Sequence, residues 1–266
     1  MDITSAKLIY FSPTQTTWKV MEGISQGLQV ANVENVDLTP PDAEIRMRPV
    51  FRDDVALIGS PVYSGRLPSV ALSRFRKLKG NGAPAVIVVV YGNRAYEDAL
   101  LELREVALEA GFNPIAAGAF VGEHSYSTSS TPIAVDRPDM EDLGKAIVFG
   151  RMIREKMTNI HALDQIDPLQ VPGTFPFKEL RMLSDITPAV QESLCTRCRT
   201  CASVCPTAAI PADDPVITDK GSCIRCCACV KSCPAGARMM DDPSIRQAAE
   251  RLSVNCSQRR EPETYL

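Results

Sequence analysis

Over the first 158 residues, short apolar runs alternate with longer stretches in which apolar side chains recur at three- and four-residue intervals. This alternation predicts β-strands linked by amphipathic helices, and so a parallel α/β sheet. The runs are Lys7–Ser12, Val33–Leu38, Val55–Pro61, Ala85–Tyr91 and Pro114–Val121, so five strands are expected. The three most apolar of these read as central strands covered on both faces. Between the last two runs, Leu100, Leu101, Leu103, Val106, Ala107 and Leu108 mark a helix over Glu97–Ala110 that stops at Gly111. A further helix is expected from about Asp139 to Met157, covering one face of the sheet.

Beyond Ile160 the periodicity fades, and prolines at 168, 172, 176 and 188 predict a linker packed over a surface, without helix or strand. A cysteine-rich segment follows, then one short helix over about Pro243–Ser253 and a polar tail. The expected divisions are 1–159 (α/β unit), 160–190 (linker), 191–240 (cysteine unit) and 241–266 (helix and tail). A length of 266 residues fits two compact units. The net charge of -3 denies the chain the broad positive field that nucleic-acid binding needs. The longest apolar run, Ala85–Tyr91, is far short of the roughly 18 residues of a membrane span. The opening residues Met1–Lys7 lack the pattern of a secretory signal, so a cytoplasmic location is expected.

All ten cysteines follow residue 194, and nine lie between Cys195 and Cys233. A thiol-free stretch of that length, with no visible signal peptide, favours a metal site over disulfides. Cys195, Cys198, Cys201, Cys205 and Pro206 recur 28 positions later as Cys223, Cys226, Cys229, Cys233 and Pro234. Both halves read C-x2-C-x2-C-x3-C-P. A pair of zinc sites is the rival reading, but zinc ribbons have no use for the third and fourth cysteines with proline. The segment resembles the bacterial ferredoxins that carry two [4Fe-4S] clusters. That resemblance implies crossed ligation: Cys195, Cys198, Cys201 and Cys233 for one cluster, and Cys223, Cys226, Cys229 and Cys205 for the other. Cys227 reads as a small buried thiol and Cys256 as a free one. Arg197, Arg199, Lys220, Arg225, Lys231 and Arg238 outnumber the four acids between Gln191 and Met240. Positive charge of this kind favours added electrons and fits an acidic partner.

After the first strand, Phe11-Ser12-Pro13-Thr14-Gln15-Thr16-Thr17 opens a helix through Trp18, Val20, Met21 and Ile24. A helix N-terminus with hydroxyls at 12, 14, 16 and 17 is an anion site by its chemistry. Neither a P-loop nor a dinucleotide fingerprint is present. The loop resembles the phosphate loop of flavodoxins, commonly T/S-x-T-G-x-T. Ser12, Thr14 and Thr17 match its hydroxyls, whereas Gln15 stands where glycine is usual and Pro13 has no N–H to donate. Two further loops fall at the ends of the third and fourth strands, where open α/β sheets bind ligands. They contain Pro61, Val62, Tyr63, Ser64 and Gly65, and Tyr91, Gly92, Asn93 and Tyr96, which are read as flavin contacts. Glu97 and Asp98 read as first-turn partners of the helix dipole. His124, in the loop after the fifth strand, is the candidate proton donor; Tyr63 and Tyr126 are further candidates, and His161 reads as solvated.

The resemblance therefore implies a flavodoxin-like, doubly wound five-stranded parallel sheet joined to a small α+β bacterial-type ferredoxin domain. FMN and two [4Fe-4S] clusters are the implied cofactors. Clusters pass single electrons and a flavin takes one or two, so the expected function is an electron relay between redox protein partners. The alternative is an FMN-dependent reductase of a small or protein-bound acceptor, fed through the clusters. A homo-oligomer is compatible with either.

Overall fold

A computed structural model describes residues 4–43, 54–160, 167–179 and 185–266. The α/β unit runs β1 (Ser5–Tyr10), α1 (Thr16–Leu28), β2 (Asn32–Asp37), β3 (Asp54–Pro61), α2 (Ser69–Phe75), β4 (Pro84–Tyr91), α3 (Ala99–Glu109), β5 (Asn113–Val121) and α4 (Met140–Asn159). The cysteine unit adds β6 (Ala189–Val190), α5 (Thr200–Ser203), α6 (Ala228–Lys231) and β7 (Arg238–Met239). The chain closes with α7 (Pro243–Asn255) and β8 (Glu263–Tyr265).

The main sheet has the order β2-β1-β3-β4-β5-β8, with β1 through β5 all parallel. Every residue of β4 is buried, as its unbroken apolar run requires of a strand covered on both faces. One face packs against α1 and α4 through Val20, Ile24, Phe149 and Ile153. These two helices cross at Gly27 and Gly150, where an added Cβ would stand 2.0 Å from the Ile147 carbonyl or 2.1 Å from that of Ile24. The other face packs against α2 and α3 through Ala71, Phe75, Leu100 and Leu103. Asp139 caps α4 by accepting from the Glu141 and Asp142 amides, and the Asp142 side chain accepts from the Asp139 amide in return.

Three features depart from the sequence reading. The tail is not a loose polar end, because β8 pairs antiparallel with β5 (Ala117 with Tyr265, Ala119 with Glu263) and makes the sheet six-stranded. Residues 189 and 190 at the end of the linker form β6, paired with β7. Asp98 and Glu97 hold the linker to the sheet: Asp98 accepts from the amides of Thr174 (3.0 Å) and Lys178 (3.2 Å), and Glu97 accepts from Lys178 Nζ (2.7 Å). These carboxylates face donors brought from about 80 residues away, backbone amides for Asp98 and an ammonium for Glu97, which a helix-dipole argument has no means to anticipate. His161 lies outside the described residues.

Candidate functional site

The strand order 2-1-3-4-5 reverses between β1 and β3, and open α/β sheets bind ligands in the crevice beyond such a switch point. A cavity of about 150 Å³ lies there. Thr14 and Thr16 line it from the first loop, Pro61–Ser64 from the end of β3, Val90–Gly92 from β4 and 122–126 from the loop after β5. Ile224 and Arg225 of the cysteine unit complete the wall.

The first loop is held from behind. The Ser12 amide donates to Thr39 Oγ1 (2.8 Å) and Ser12 Oγ accepts from the Trp18 amide (3.1 Å), so Ser12 braces the helix start and does not line the cavity. Gln15 adopts φ 64°, the left-handed conformation for which glycine is the usual residue. Glutamine thus stands here in a backbone conformation that glycine meets without strain. Thr17 is buried and its hydroxyl has no hydrogen-bond partner, an orphan at a helix N-terminus that a bound anion would satisfy. The donor set therefore fits a phosphate group.

The second loop is a tight hairpin in which the Tyr63 amide donates to the Arg66 carbonyl (2.8 Å) and the Arg66 amide to that of Tyr63 (3.1 Å). Ser64 at φ 55° and Gly65 at φ 84° supply the two positive angles such a turn needs. Gly65 faces Glu97, away from the cavity. Tyr63 lies beside Cys226 and Cys227; burial first, then those thiols, push its pKa well above the usual value. Tyr126, next to the same cysteines, is pushed up to about 12 by burial first.

His124 packs against Gly92, where a Cβ would come 2.3 Å from the imidazole, so only glycine fits. The His124 ring stands 5.2 Å from that of Tyr126, and its Nδ1 accepts from the Tyr126 amide (3.1 Å), which assigns the neutral tautomer with Nε2–H. Burial, then Arg94 and Lys231, push its pKa down to about 4. Near neutral pH it is a hydrogen-bond donor and not a reservoir of an extra proton.

Asn93 and Tyr96, expected at the flavin, face the tail instead. Asn93 Nδ2 donates to the carbonyls of Cys256 (2.6 Å) and Gln258 (2.8 Å), and its Oδ1 accepts from the Arg260 amide (3.2 Å). The Tyr96 hydroxyl donates to Glu263 Oε2 (2.7 Å) and lies 2.9 Å from that of Tyr265. Of the residues read as cofactor contacts, Thr14, Thr16, Pro61, Val62, Tyr63, Ser64, Tyr91 and Gly92 line the cavity; Ser12, Gln15, Thr17, Gly65, Asn93 and Tyr96 do not. Ile224 and Arg225 had no signal beyond their place between two cysteines.

The 28-residue repeat is also a repeat of backbone. Arg197 and Arg225 share φ 54°, Arg199 and Cys227 open α5 and α6 at φ 65° and 59°, and Ala208 and Gly236 take 52° and 61°. The Ala209 amide donates to Cys205 Sγ and the Ala237 amide to Cys233 Sγ, both at 3.3 Å. Such turned amides stabilise negative charge on sulfur. Two small cavities lie between the halves. Cys195, Cys198, Cys201 and Cys233 line one. Cys205, Cys223, Cys226 and Cys229 line the other, with Cys227 beside them. Burial pushes the Cys226 thiol up to about 12 and Cys229 up to about 11. Among the described residues no three His, Cys, Asp or Glu side chains converge as they would on a single ion. The second cavity abuts the α/β unit: Arg74 Nη2 donates to the Pro206 carbonyl (2.8 Å), and Lys231 Nζ bonds Glu123 (2.7 Å) and the Ser127 carbonyl (2.9 Å).

A flavodoxin-like α/β unit joined to a ferredoxin-type iron–sulfur segment is the class that this strand order and cysteine repeat define. Residues 188–210 match the 4Fe-4S binding domain family. Among solved structures, a flavodoxin from the domain Archaea is similar at 15% identity over 58% of this chain and 99% of its own, with a TM-score of 0.38. A Streptococcus pneumoniae flavodoxin is similar at 16% identity over 57% and 99%, with a TM-score of 0.39. Rubredoxin oxygen:oxidoreductase from Desulfovibrio gigas is similar at 12% identity over 58% of this chain and 36% of its own, with a TM-score of 0.42. No curated protein matches the chain. Among the described residues no helix is long and apolar enough to cross a membrane.

Proposed function

We propose that the chain is an intramolecular electron relay between two [4Fe-4S] clusters and one FMN, working with separate redox protein partners in the cytoplasm. The observation that carries this reading is the loop Cys223–Cys226: Ile224 and Arg225 wall both the switch-point cavity and the inner thiol cavity. Cys205, Cys223, Cys226 and Cys229 would hold the inner cluster. Cys195, Cys198, Cys201 and Cys233 would hold the outer one, with Cys198 exposed to partners. FMN bound at the switch point would accept one electron or two, and Thr14, Thr16 and the Thr17 hydroxyl would receive its phosphate. Tyr63, His124 and Tyr126 would pack about the ring with their own protons retained. Reduction of a small acceptor at the flavin would need an uncovered ring face with a proton donor, and the cluster loop standing in the cavity wall favours relay over that alternative.

The test is flavin and iron content per chain after anaerobic purification. About one FMN with about eight irons is expected for eight thiolate ligands. About four irons would remove the second cluster, and eight irons without flavin, even after added FMN, would leave a ferredoxin on a scaffold.

A further inference from the structure

We propose that His124 donates its Nε2–H to the flavin bound at the switch point and, as a fixed donor, favours the electron-rich form of that flavin. The proposal rests on the FMN reading above and assigns a tuning contact within it. His124 lines the switch-point cavity from the loop after β5. Its Nδ1 accepts from the Tyr126 amide (3.1 Å), and its Nε2 has no hydrogen-bond partner among the described residues.

The imidazole is held in place before any ligand arrives. The Gly122 amide donates to the Tyr91 carbonyl (3.0 Å), the Glu123 amide to that of Arg137 (2.7 Å) and the His124 amide to that of Ile133 (3.2 Å). The His124 carbonyl accepts from the Ser127 amide (2.8 Å), so the backbone on both sides of the side chain is pinned. The Cδ2 edge of the imidazole packs on Gly92, where an added Cβ would stand 2.3 Å from that atom. The Tyr126 ring lies 5.2 Å away, tilted by 58°. With one edge against Gly92 and Nδ1 engaged, Nε2 is the polar atom of the imidazole left for a bound molecule.

Spending Nδ1 on an amide leaves the neutral imidazole as a donor only. The hydroxyls of Tyr63 and Tyr126, which belong to the same wall, can turn to donate or accept and so adapt to either redox form. Burial, then Arg94 and Lys231, hold His124 neutral near neutral pH. Arg94 is itself paired with Glu97, and Lys231 with Glu123 at 2.7 Å. An electron passing from the inner cluster oxidises the cluster and reduces the flavin by one equivalent, while His124 keeps its proton and no bond is made or broken. The added charge spreads over the flavin's acceptor atoms, and a hydrogen bond to a charged acceptor is about twice as strong as one to a neutral acceptor. A donor-only atom in a fixed place therefore holds the reduced flavin more tightly than the oxidised one.

The experiment compares His124→Asn with His124→Gln in the full chain loaded with FMN and iron. Asparagine places an oxygen where Nδ1 stands, which keeps the bond from the Tyr126 amide, and has no donor at the reach of Nε2. Glutamine gives up that loop bond and carries an amide donor about as far out as Nε2. FMN affinity is measured in the oxidised and in the reduced chain, and anaerobic titration reads the flavin potential by absorbance. For His124→Asn the preference for reduced over oxidised FMN falls about tenfold, which is about 59 mV for one electron. His124→Gln restores most of that preference, which a role in holding the loop does not give. An unchanged preference in His124→Asn, an equal weakening of oxidised and reduced FMN, or a glutamine variant as low as the asparagine one would each overturn the proposal. A wild-type chain that binds no FMN would instead overturn the relay reading, and the His124 contact with it.

Discussion

Asn93→Gly separates a tail clamp from a flavin contact at one position. Asn93 sits at φ 63°, so glycine keeps the backbone while removing the side chain. Three hydrogen bonds to the tail are lost, at 2.6, 2.8 and 3.2 Å. At about 1 kcal/mol net for each bond, the tail is freed by about 3 kcal/mol, or roughly a hundredfold in its opening equilibrium. The perturbation is local because β8 is a three-residue edge strand, whereas β4 is buried throughout. Amide hydrogen exchange of the holoprotein is the assay. Exchange at 263–265 rises by one to two orders of magnitude, β3 and β4 keep their protection, and FMN affinity stays within threefold of wild type. Loss of FMN affinity with the tail still protected would refute the clamp and restore Asn93 to the flavin.

Other outcomes follow from the same geometry. Thr14→Val weakens FMN binding by a few kcal/mol at most, read by fluorescence titration, because one hydroxyl among several donors is removed; unchanged affinity removes Thr14 from the phosphate site. Gln15→Gly leaves stability within about 1 kcal/mol, since relief of the left-handed angle offsets the lost 3.1 Å bond from Gln15 Nε2 to the Ser12 carbonyl; a urea melt checks it. On the proposed two-cluster reading, Cys205→Ala abolishes the inner cluster's resonance signal and spares the outer one; loss confined to the outer cluster would show that the fourth ligands are not crossed. His124 has a folded pKa of about 4, below the 6.5 of the unfolded chain, so the unfolded state binds more protons between these values. Stability therefore declines as pH falls through that window, by roughly 3 kcal/mol at its end. His124→Gln lacks this loss, so the urea midpoint of wild type falls further than that of the variant between pH 7.5 and 5.

The central strand β4 was legible because a strand covered on both faces must be apolar without interruption, as Ala85–Tyr91 is. The cluster segment was legible because ligand spacing is local: three thiolates at three-residue intervals, followed by Cys-Pro, need no distant partner to be recognised. The hydroxyl-rich turn before α1 was visible for the same reason. The roles of Asn93 and Tyr96 were hidden, since their partners stand 163 to 169 residues away and their types suit a flavin as well as a tail. β8 was hidden because Glu-Thr-Tyr at a half-exposed edge has no alternating pattern to announce it.

The order of residues by itself determined that this chain is an α/β sheet followed by a duplicated cysteine motif, because burial on two faces and metal spacing both write themselves into short windows. Which half of that duplication meets the sheet was decided only by tertiary packing. Arg197 and Arg225 have the same backbone angle and the same place in the repeat, yet one meets Asp214 at the surface and the other walls the switch-point cavity. Local sequence gives the two halves one conformation; contacts such as Arg74 with Pro206 and Lys231 with Glu123, spanning more than 100 residues, give them different neighbours.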